Sequence, residues 1–148
     1  MASFKLILSL VFDLIFFPSR FYIMRIEDRE LRFTKITHHA SVTQCLGSVG
    51  GGEWFLGVAK ASVVDENEIG DGGRAVRSKC GHLYLPPNPE DVRVFRVAGA
   101  KFLKLNVGTW HAGPLFKEKA MDFYNLELSN TNVGIFCLNP LLIYSCQY

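Results

Sequence analysis

Residues 103–116, LKLNVGTWHAGPLF, are the most informative stretch for the fold, because a half-apolar, strand-like run leads into a tight turn. The turn presents His111 at the mouth of a predicted sheet. An imidazole titrates near neutral pH and can also bind a metal ion, so this position suits chemistry. A lone histidine on a half-apolar strand is more often a structural residue, so the pattern by itself favours that interpretation.

Strand-like runs of this kind recur from Arg20 onward. Short runs rich in Val, Ile, Phe, Thr and Tyr are separated by Gly, Pro and Asn, and no amphipathic helix pattern interrupts them. Such runs are typical of antiparallel sheets, and strands this short and frequent predict an all-β sandwich or barrel. The predicted strands are 21–26, 33–37, 42–46, 54–59, 82–84, 92–97, 102–105, 124–128 and 132–136.

Size and composition narrow the class of protein. The 148 residues suffice for one domain with a sizeable core, and 49% hydrophobic with 20% charged residues exclude a disordered chain. The net charge of +2 is spread without a basic stripe, so nucleic acid is not an expected partner. Widely spaced cysteines without a C-x-x-C pair indicate neither a zinc nor a redox motif, and predict reduced thiols in a cytosolic or organellar protein, with the cytoplasm as the expected compartment.

The chain starts with an almost solidly apolar segment, residues 4–17, which ends at Pro18. Asp13 interrupts this segment, and residues 17–20 offer no small-x-small cleavage site. The segment is also shorter than the roughly 18–20 residues that a spanning helix needs. We therefore expect residues 4–17 to pack onto the domain, with no membrane partner. The alternative is an organellar or membrane-associated protein anchored through residues 1–17.

The histidines form no compact metal motif. His38 and His39 are adjacent, and neighbours on a strand point to opposite faces, so at most one of them faces an interior site. Interior ligands from His39, His82 and His111 remain conceivable, but their spacing by itself is a weak signal.

Four segments of the chain carry a family resemblance. They are ITHHASVTQCL at 36–46, GEWF at 52–55, GTWH at 108–111 and DFYNLE at 122–127. Together they resemble the ureidoglycolate lyase (ureidoglycolate hydrolase) family of allantoin and purine catabolism in its plant form, over about residues 20–133. The resemblance implies a cupin-like (RmlC-type) antiparallel β-barrel or jelly roll, expected to be incomplete at its N-terminus.

The implied reaction is cleavage of a small molecule, (S)-ureidoglycolate, to glyoxylate and urea by a carbon–nitrogen lyase. Chemically this is an elimination, in which a base takes the hydroxyl proton and an acid helps the urea nitrogen to leave. By matching position, His111 is implied as general base or acid, His39 as its partner and Gln44 as the anchor of the ureido group.

The resemblance also suggests a set of substrate contacts. Glu53 and Trp110 are implied beside the catalytic residues. Lys104 and Lys60 are candidates to pair with the substrate carboxylate, although either fits a solvated strand lysine as well.

The chain departs from the family pattern in three places. Asn106 stands where the compared members have a histidine, so neither a metal nor any other cofactor is expected. Residues 1–19 and 134–148 are apolar and unlike the family, which leaves 20–133 as the predicted domain. Missing outer strands would expose ladder edges that the apolar ends or a homo-oligomer contact would cover. The alternative function is that of a catalytically inactive truncated isoform or a non-catalytic cupin-like binding protein.

Overall fold

The computed structural model describes residues 19–39, 43–69, 75–78 and 81–128, together with the backbone of 135–138 and 144–145. The predicted packing of residues 4–17 lies outside these ranges. The strands are β1 (Ser19–Glu27), β2 (Arg32–Phe33), β3 (Ile36–His39), β4 (Gln44–Ser48), β5 (Trp54–Ala59), β6 (Val63–Val64), β7 (Val76–Arg77), β8 (Leu83–Tyr84), β9 (Arg93–Val97), β10 (Leu103–Leu105), β11 (Trp110–His111), β12 (Ala120–Leu128), β13 (Ile135–Leu138) and β14 (Tyr144–Ser145).

Helical structure in these ranges is limited to three single 3-10 turns, Val49–Gly51, Glu66–Glu68 and Pro89–Asp91. None of these is long or apolar enough to cross a bilayer. The predicted all-β class is confirmed.

Two antiparallel sheets dominate the architecture. Sheet I has the strand order β1-β12-β4-β10, and sheet II has the order β13-β3-β11-β5-β9. A small sheet of order β6-β8-β7 and a short β14-β2 pair complete the described strands. Within the described ranges the ladders form separate sheets, an antiparallel arrangement consistent with the cupin-like fold.

The inner faces of the two sheets enclose an inter-sheet core. Trp54 of sheet II meets Phe123 of sheet I edge to face, with ring centroids 5.3 Å apart. Such aromatic pairs add about 0.5–1.5 kcal/mol beyond the apolar area they bury. The other buried members of this core are Leu46, Leu56, Val97, Leu105, Phe116 and Met121.

The opposite face of sheet II packs into a second core that includes Tyr84 of the small sheet. Strand β5, WFLGVA, is therefore covered on both faces, which explains its continuous apolar run. Alternate residues of β5 enter different cores, because side chains of a strand alternate between its faces. The second core consists of Phe33, Ile36, Phe55, Ala59, Tyr84, Val92, Trp110, Ala112 and Leu115.

Gly57 allows the close approach on which the second core depends. A Cβ atom at this position would lie 2.5 Å from Cζ of Phe33. We expect Gly57→Ala to lower the free energy of unfolding by about 1–3 kcal/mol, as overpacking of a core does. Urea denaturation measures the change. Adding Phe33→Leu should recover part of the loss, and a Gly57→Ala protein as stable as the wild type would contradict this packing.

Several strand boundaries differ from the predictions. β1 and β12 each span nine residues, longer than the predicted 21–26 and 124–128, because they pair along their whole length. Trp110 and His111 form a strand between β3 and β5, whereas the sequence suggested a turn. The strand predicted at 132–136 is found as Ile135–Leu138, which pairs with β3.

The outer face of sheet I carries exposed apolar side chains. Phe21 and Ile23 are exposed, and the ring of Phe21 stacks on Tyr124 at 5.9 Å between centroids. Exposed apolar patches often mark contact surfaces. The homo-oligomer suggested by the sequence stays a prediction.

Candidate active site on the inner faces of the two sheets

Two histidines meet on adjacent strands of sheet II. His111 of β11 is paired with Thr37 of β3, so His39, two residues further along, projects from the same face. The imidazole centroids lie 5.2 Å apart, and each residue is only 8% exposed. His111 is also paired with Val58, which packs against the inter-sheet core. The histidine pair therefore lies on the inner face of sheet II.

The turn before β11 fixes the position of His111. The amide of Thr109 donates to the carbonyl of Asn106 over 3.1 Å, and Gly108 adopts φ 74°, a region that favours glycine. The amide of Gly108 then donates to the carbonyl of His39 over 2.8 Å. The predicted tight turn is present, but it precedes the histidine and ties its strand to β3.

The surroundings of His111 define its protonation. Its Nδ1 lies 3.1 Å from the carbonyl oxygen of Thr109. A carbonyl only accepts, so Nδ1 carries the proton and Nε2 keeps its lone pair. The pKa of His111 is lowered to about 4, chiefly by burial and to a smaller extent by the nearby rings of His39 and His38, against the opposing effect of the Thr109 hydrogen bond. The imidazole is neutral at pH 7, and the lone pair of its Nε2 is available to accept a proton.

His38 and Trp110 occupy the opposite face of sheet II. The buried ring of His38 stacks on the indole of Trp110 at 4.1 Å and meets Tyr84 edge-on at 4.7 Å. The indole Nε1 donates to Oγ of Ser62 over 2.8 Å. The expectation that His38 and His39 face opposite sides is confirmed. Trp110, predicted beside the substrate, is fully buried in the second core.

The buried histidines make stability depend on pH. Burial lowers the pKa of both His38 and His111 to about 4, below the ordinary value of 6.5. At acidic pH the unfolded chain therefore binds more protons than the folded chain. The contribution of the two neutral histidines to the free energy of unfolding is fully present above pH 6.5 and is lost as the pH falls toward 4. Between pH 7 and pH 5 each histidine should lower the free energy of unfolding by on the order of 2 kcal/mol.

Urea denaturation at the two pH values tests this expectation. His38→Phe keeps an aromatic ring against Trp110 but removes one titrating group. It should therefore reduce the difference in the free energy of unfolding between pH 7 and pH 5 by about half. A pH dependence unchanged by His38→Phe would contradict the assignment.

A polar row faces the interior from sheet I. Nε2 of Gln44 donates to Oδ1 of Asn125 over 3.0 Å. Nδ2 of Asn125 in turn donates to the hydroxyl of Tyr22 over 2.8 Å and to Glu127 over 3.2 Å. Nη2 of Arg20 forms a 2.7 Å ion pair with the same carboxylate. Gln44 is thus one end of a connected network that orients its amide.

Burial raises the pKa of Tyr22, and the Glu127 carboxylate adds to the shift against the opposing hydrogen bond from Asn125. The phenol therefore stays protonated at neutral pH, when it donates to Glu127 over 3.1 Å.

Sequence reasoning singled out Gln44 and missed the other members of the row. The other members could have been found from the alternation along β12, where every second residue is buried: Met121, Phe123, Asn125 and Glu127. The period of two that puts Phe123 in the core also puts Asn125 and Glu127 on the inner face. Polar residues that occupy the same alternating positions as core residues of the strand therefore indicate this site in the sequence.

Three predicted substrate contacts lie elsewhere. Glu53 pairs with Arg96, with 2.7 Å between Oε2 and Nε. Lys104 is exposed between Leu103 and Leu105, whose side chains pack toward the inter-sheet core. Lys60 is exposed just after β5 and lines a groove. The structure thus brings together His39 and His111, and it places Gln44 on the facing sheet.

The described residues include no group of three or more His, Cys, Asp or Glu that could hold a metal ion. His82 is exposed on the small sheet's side, and Asn106 is exposed in the turn before β11.

No protein-family model matches the chain, and neither does any curated protein. Its class is defined by the fold and the site. It is an all-β protein of two antiparallel sheets, with a histidine pair on one inner face and a hydrogen-bonded amide and carboxylate row on the other.

Proposed function

We propose that this protein is a ureidoglycolate lyase of cupin-like fold, which cleaves (S)-ureidoglycolate to glyoxylate and urea in purine catabolism. The observation that carries the proposal is the His39–His111 pair, in which Nε2 of His111 keeps its lone pair in a buried position. The choice of substrate is based on the resemblance of residues 36–46 and 108–111 to that family, because these segments contain both histidines.

The reaction needs one proton to be taken and one to be given back. Nε2 of His111 takes the hydroxyl proton of the substrate, and the O–H electron pair forms the carbonyl of glyoxylate. The carbon–nitrogen bond breaks, its electrons go to the urea nitrogen, and that nitrogen takes up a proton. His39 lies close enough to share this transfer, so the pair returns to its starting state after each turnover. General acid–base catalysis of this kind contributes about 10²–10⁴-fold.

The polar row of sheet I suits the ureido group. The amides of Gln44 and Asn125 offer both donors and acceptors, as a urea moiety requires. Their mutual hydrogen bond of 3.0 Å orients the Gln44 amide and uses one of its N–H groups, so its oxygen and its second N–H are left for a ligand. Because oriented groups lose less entropy on binding, this row favours one substrate orientation.

Glyoxylate release is the test. Purified protein is incubated with (S)-ureidoglycolate, and glyoxylate is followed by its reduction with NADH and lactate dehydrogenase against a protein-free blank. Equal amounts of glyoxylate and urea support the lyase, whereas ammonia in place of urea indicates hydrolytic cleavage. A rate equal to the blank at micromolar protein overturns the proposal.

A non-catalytic binding protein is the second candidate, and one observation favours it. Arg20, a cation on the inner face of sheet I that could meet a substrate carboxylate, is already paired with Glu127 over 2.7 Å. Binding of hydantoate, the substrate analogue without the hydroxyl group, combined with no glyoxylate release would support this candidate.

The proposal includes a cytoplasmic location. Widely spaced cysteines without a C-x-x-C pair fit reduced thiols in that compartment. Fractionation of cells that express the tagged full chain would check it, and membrane-bound protein would point instead to an anchor within residues 1–17.

A further inference from the structure

A groove of about 690 Å³ opens where β5 ends and β9 begins. Its walls are largely apolar and include Leu85, Pro86, Pro87 and Phe95. Clefts of about 300–1,000 Å³ with mainly apolar walls and a few polar groups are typical of small-molecule sites. The groove is separate from the hydrogen-bonded row of sheet I, none of whose members lines it.

Charged side chains line the groove without being neutralised by neighbours. Lys60 and Arg93 contribute two positive charges, and Asp91 contributes one negative charge. In the part of the chain that the structure describes, none of the three forms an ion pair. The guanidinium of Arg93 donates to the carbonyl of Glu90, which holds it at the start of β9. The surplus of positive charge favours an anionic ligand.

The groove also touches the two residues that hold His111. Val58 is the cross-strand partner of His111 on β5, and the carbonyl of Thr109 accepts from its Nδ1. Both residues line the groove. Arg93 is in turn the partner of Val58 on β9, so the guanidinium and the imidazole belong to strands on either side of β5.

We propose that the groove binds small carboxylates that carry a urea or amide group, with Lys60 and Arg93 on the carboxylate. The inference rests on the proposed function, which supplies the ureido group, and it adds a carboxylate contact to that reaction. Arg93 was not indicated by the sequence, because nothing local distinguishes it from other surface arginines.

Calorimetric titration of the full chain with hydantoate tests the inference. Hydantoate has the carboxylate and the ureido group of the proposed substrate but no hydroxyl group, so it binds without reacting. Lys60→Gln and Arg93→Gln should each weaken its binding at least about tenfold, because charge-assisted hydrogen bonds are lost. Arg25→Gln, which removes one positive charge from an exposed ion pair on sheet I, should leave the affinity unchanged.

The neutral amide of hydantoate should bind at least about tenfold more weakly than hydantoate itself, and equally to wild type and to both groove variants. The inference is overturned if Lys60→Gln and Arg93→Gln bind hydantoate as the wild type does, or if the wild type shows no binding up to about 10 mM, far above ordinary enzyme affinities.

The outcomes separate this inference from the proposed function. Hydantoate binding that depends on Lys60 and Arg93, without any glyoxylate release, supports the groove and overturns the lyase. Turnover of (S)-ureidoglycolate with an unchanged KM in both variants supports the lyase and overturns the groove.

Discussion

Replacing His111 by alanine is expected to lower kcat/KM for (S)-ureidoglycolate by about 10²–10⁴-fold, the usual contribution of a general base. The imidazole is neutral because burial lowers its pKa to about 4, and Thr109 holds the proton on Nδ1. The ring of His39 lies next to it on the same face, with 5.2 Å between the centroids. The loss should therefore appear in kcat as well as in kcat/KM.

Glyoxylate release by purified His111→Ala protein measures the effect, with near-UV circular dichroism of the buried tryptophans to show that the fold persists. His38→Phe is the matched control, since it removes the neighbouring imidazole from the opposite face of β3 and should keep most of the activity. Added imidazole should restore part of the lost rate in His111→Ala. Activity close to that of the wild type would remove His111 from the mechanism.

His39→Ala provides a second measure of the same pair. If the two rings share one proton transfer, the double variant should lose little more than His111→Ala alone, because residues that act as a unit are not additive. Additive losses would assign the rings to separate steps.

The sequence predicts local structure best where burial follows a short period. The apolar run of β5 and the alternation of β12 are visible without any knowledge of partners, because each depends on side chains within one strand. The two-residue strand of Trp110 and His111 is different. It exists because its backbone pairs with β3 and β5, and that pairing involves residues far away in the chain.

The same distinction separates the parts of the site. The opposite orientation of His38 and His39 follows from adjacency alone, and the exposure of Lys104 could have been predicted from the apolar residues on either side. The approach of His39 to His111 is set by the register of two strands, which no local pattern contains. The groove is harder still to predict, since Lys60 and Arg93 come from the ends of different strands.

Replacing Trp110 by alanine is expected to lower the free energy of unfolding by about 3–5 kcal/mol, the usual effect of removing a buried aromatic side chain. The indole is fully buried, stacks on His38 at 4.1 Å between ring centroids and lies 5.7 Å from the ring of Tyr84. Its removal opens a cavity in the second core and leaves Ser62 without its indole donor. Urea denaturation at pH 7 measures the change.

Two milder variants keep the prediction testable if Trp110→Ala does not fold. Trp110→Phe keeps a ring in the stack but loses the N–H, and Ser62→Ala loses the acceptor, so each should destabilise by about 1–2 kcal/mol. The double variant should be destabilised by less than the sum of the two single variants, since both remove the same 2.8 Å hydrogen bond.

The substrate-binding role suggested by the sequence gives the opposite pattern. If Trp110 contacts the substrate, Trp110→Phe raises KM while stability stays near that of the wild type. If Trp110 instead supports the strand that carries His111, stability falls and KM does not change.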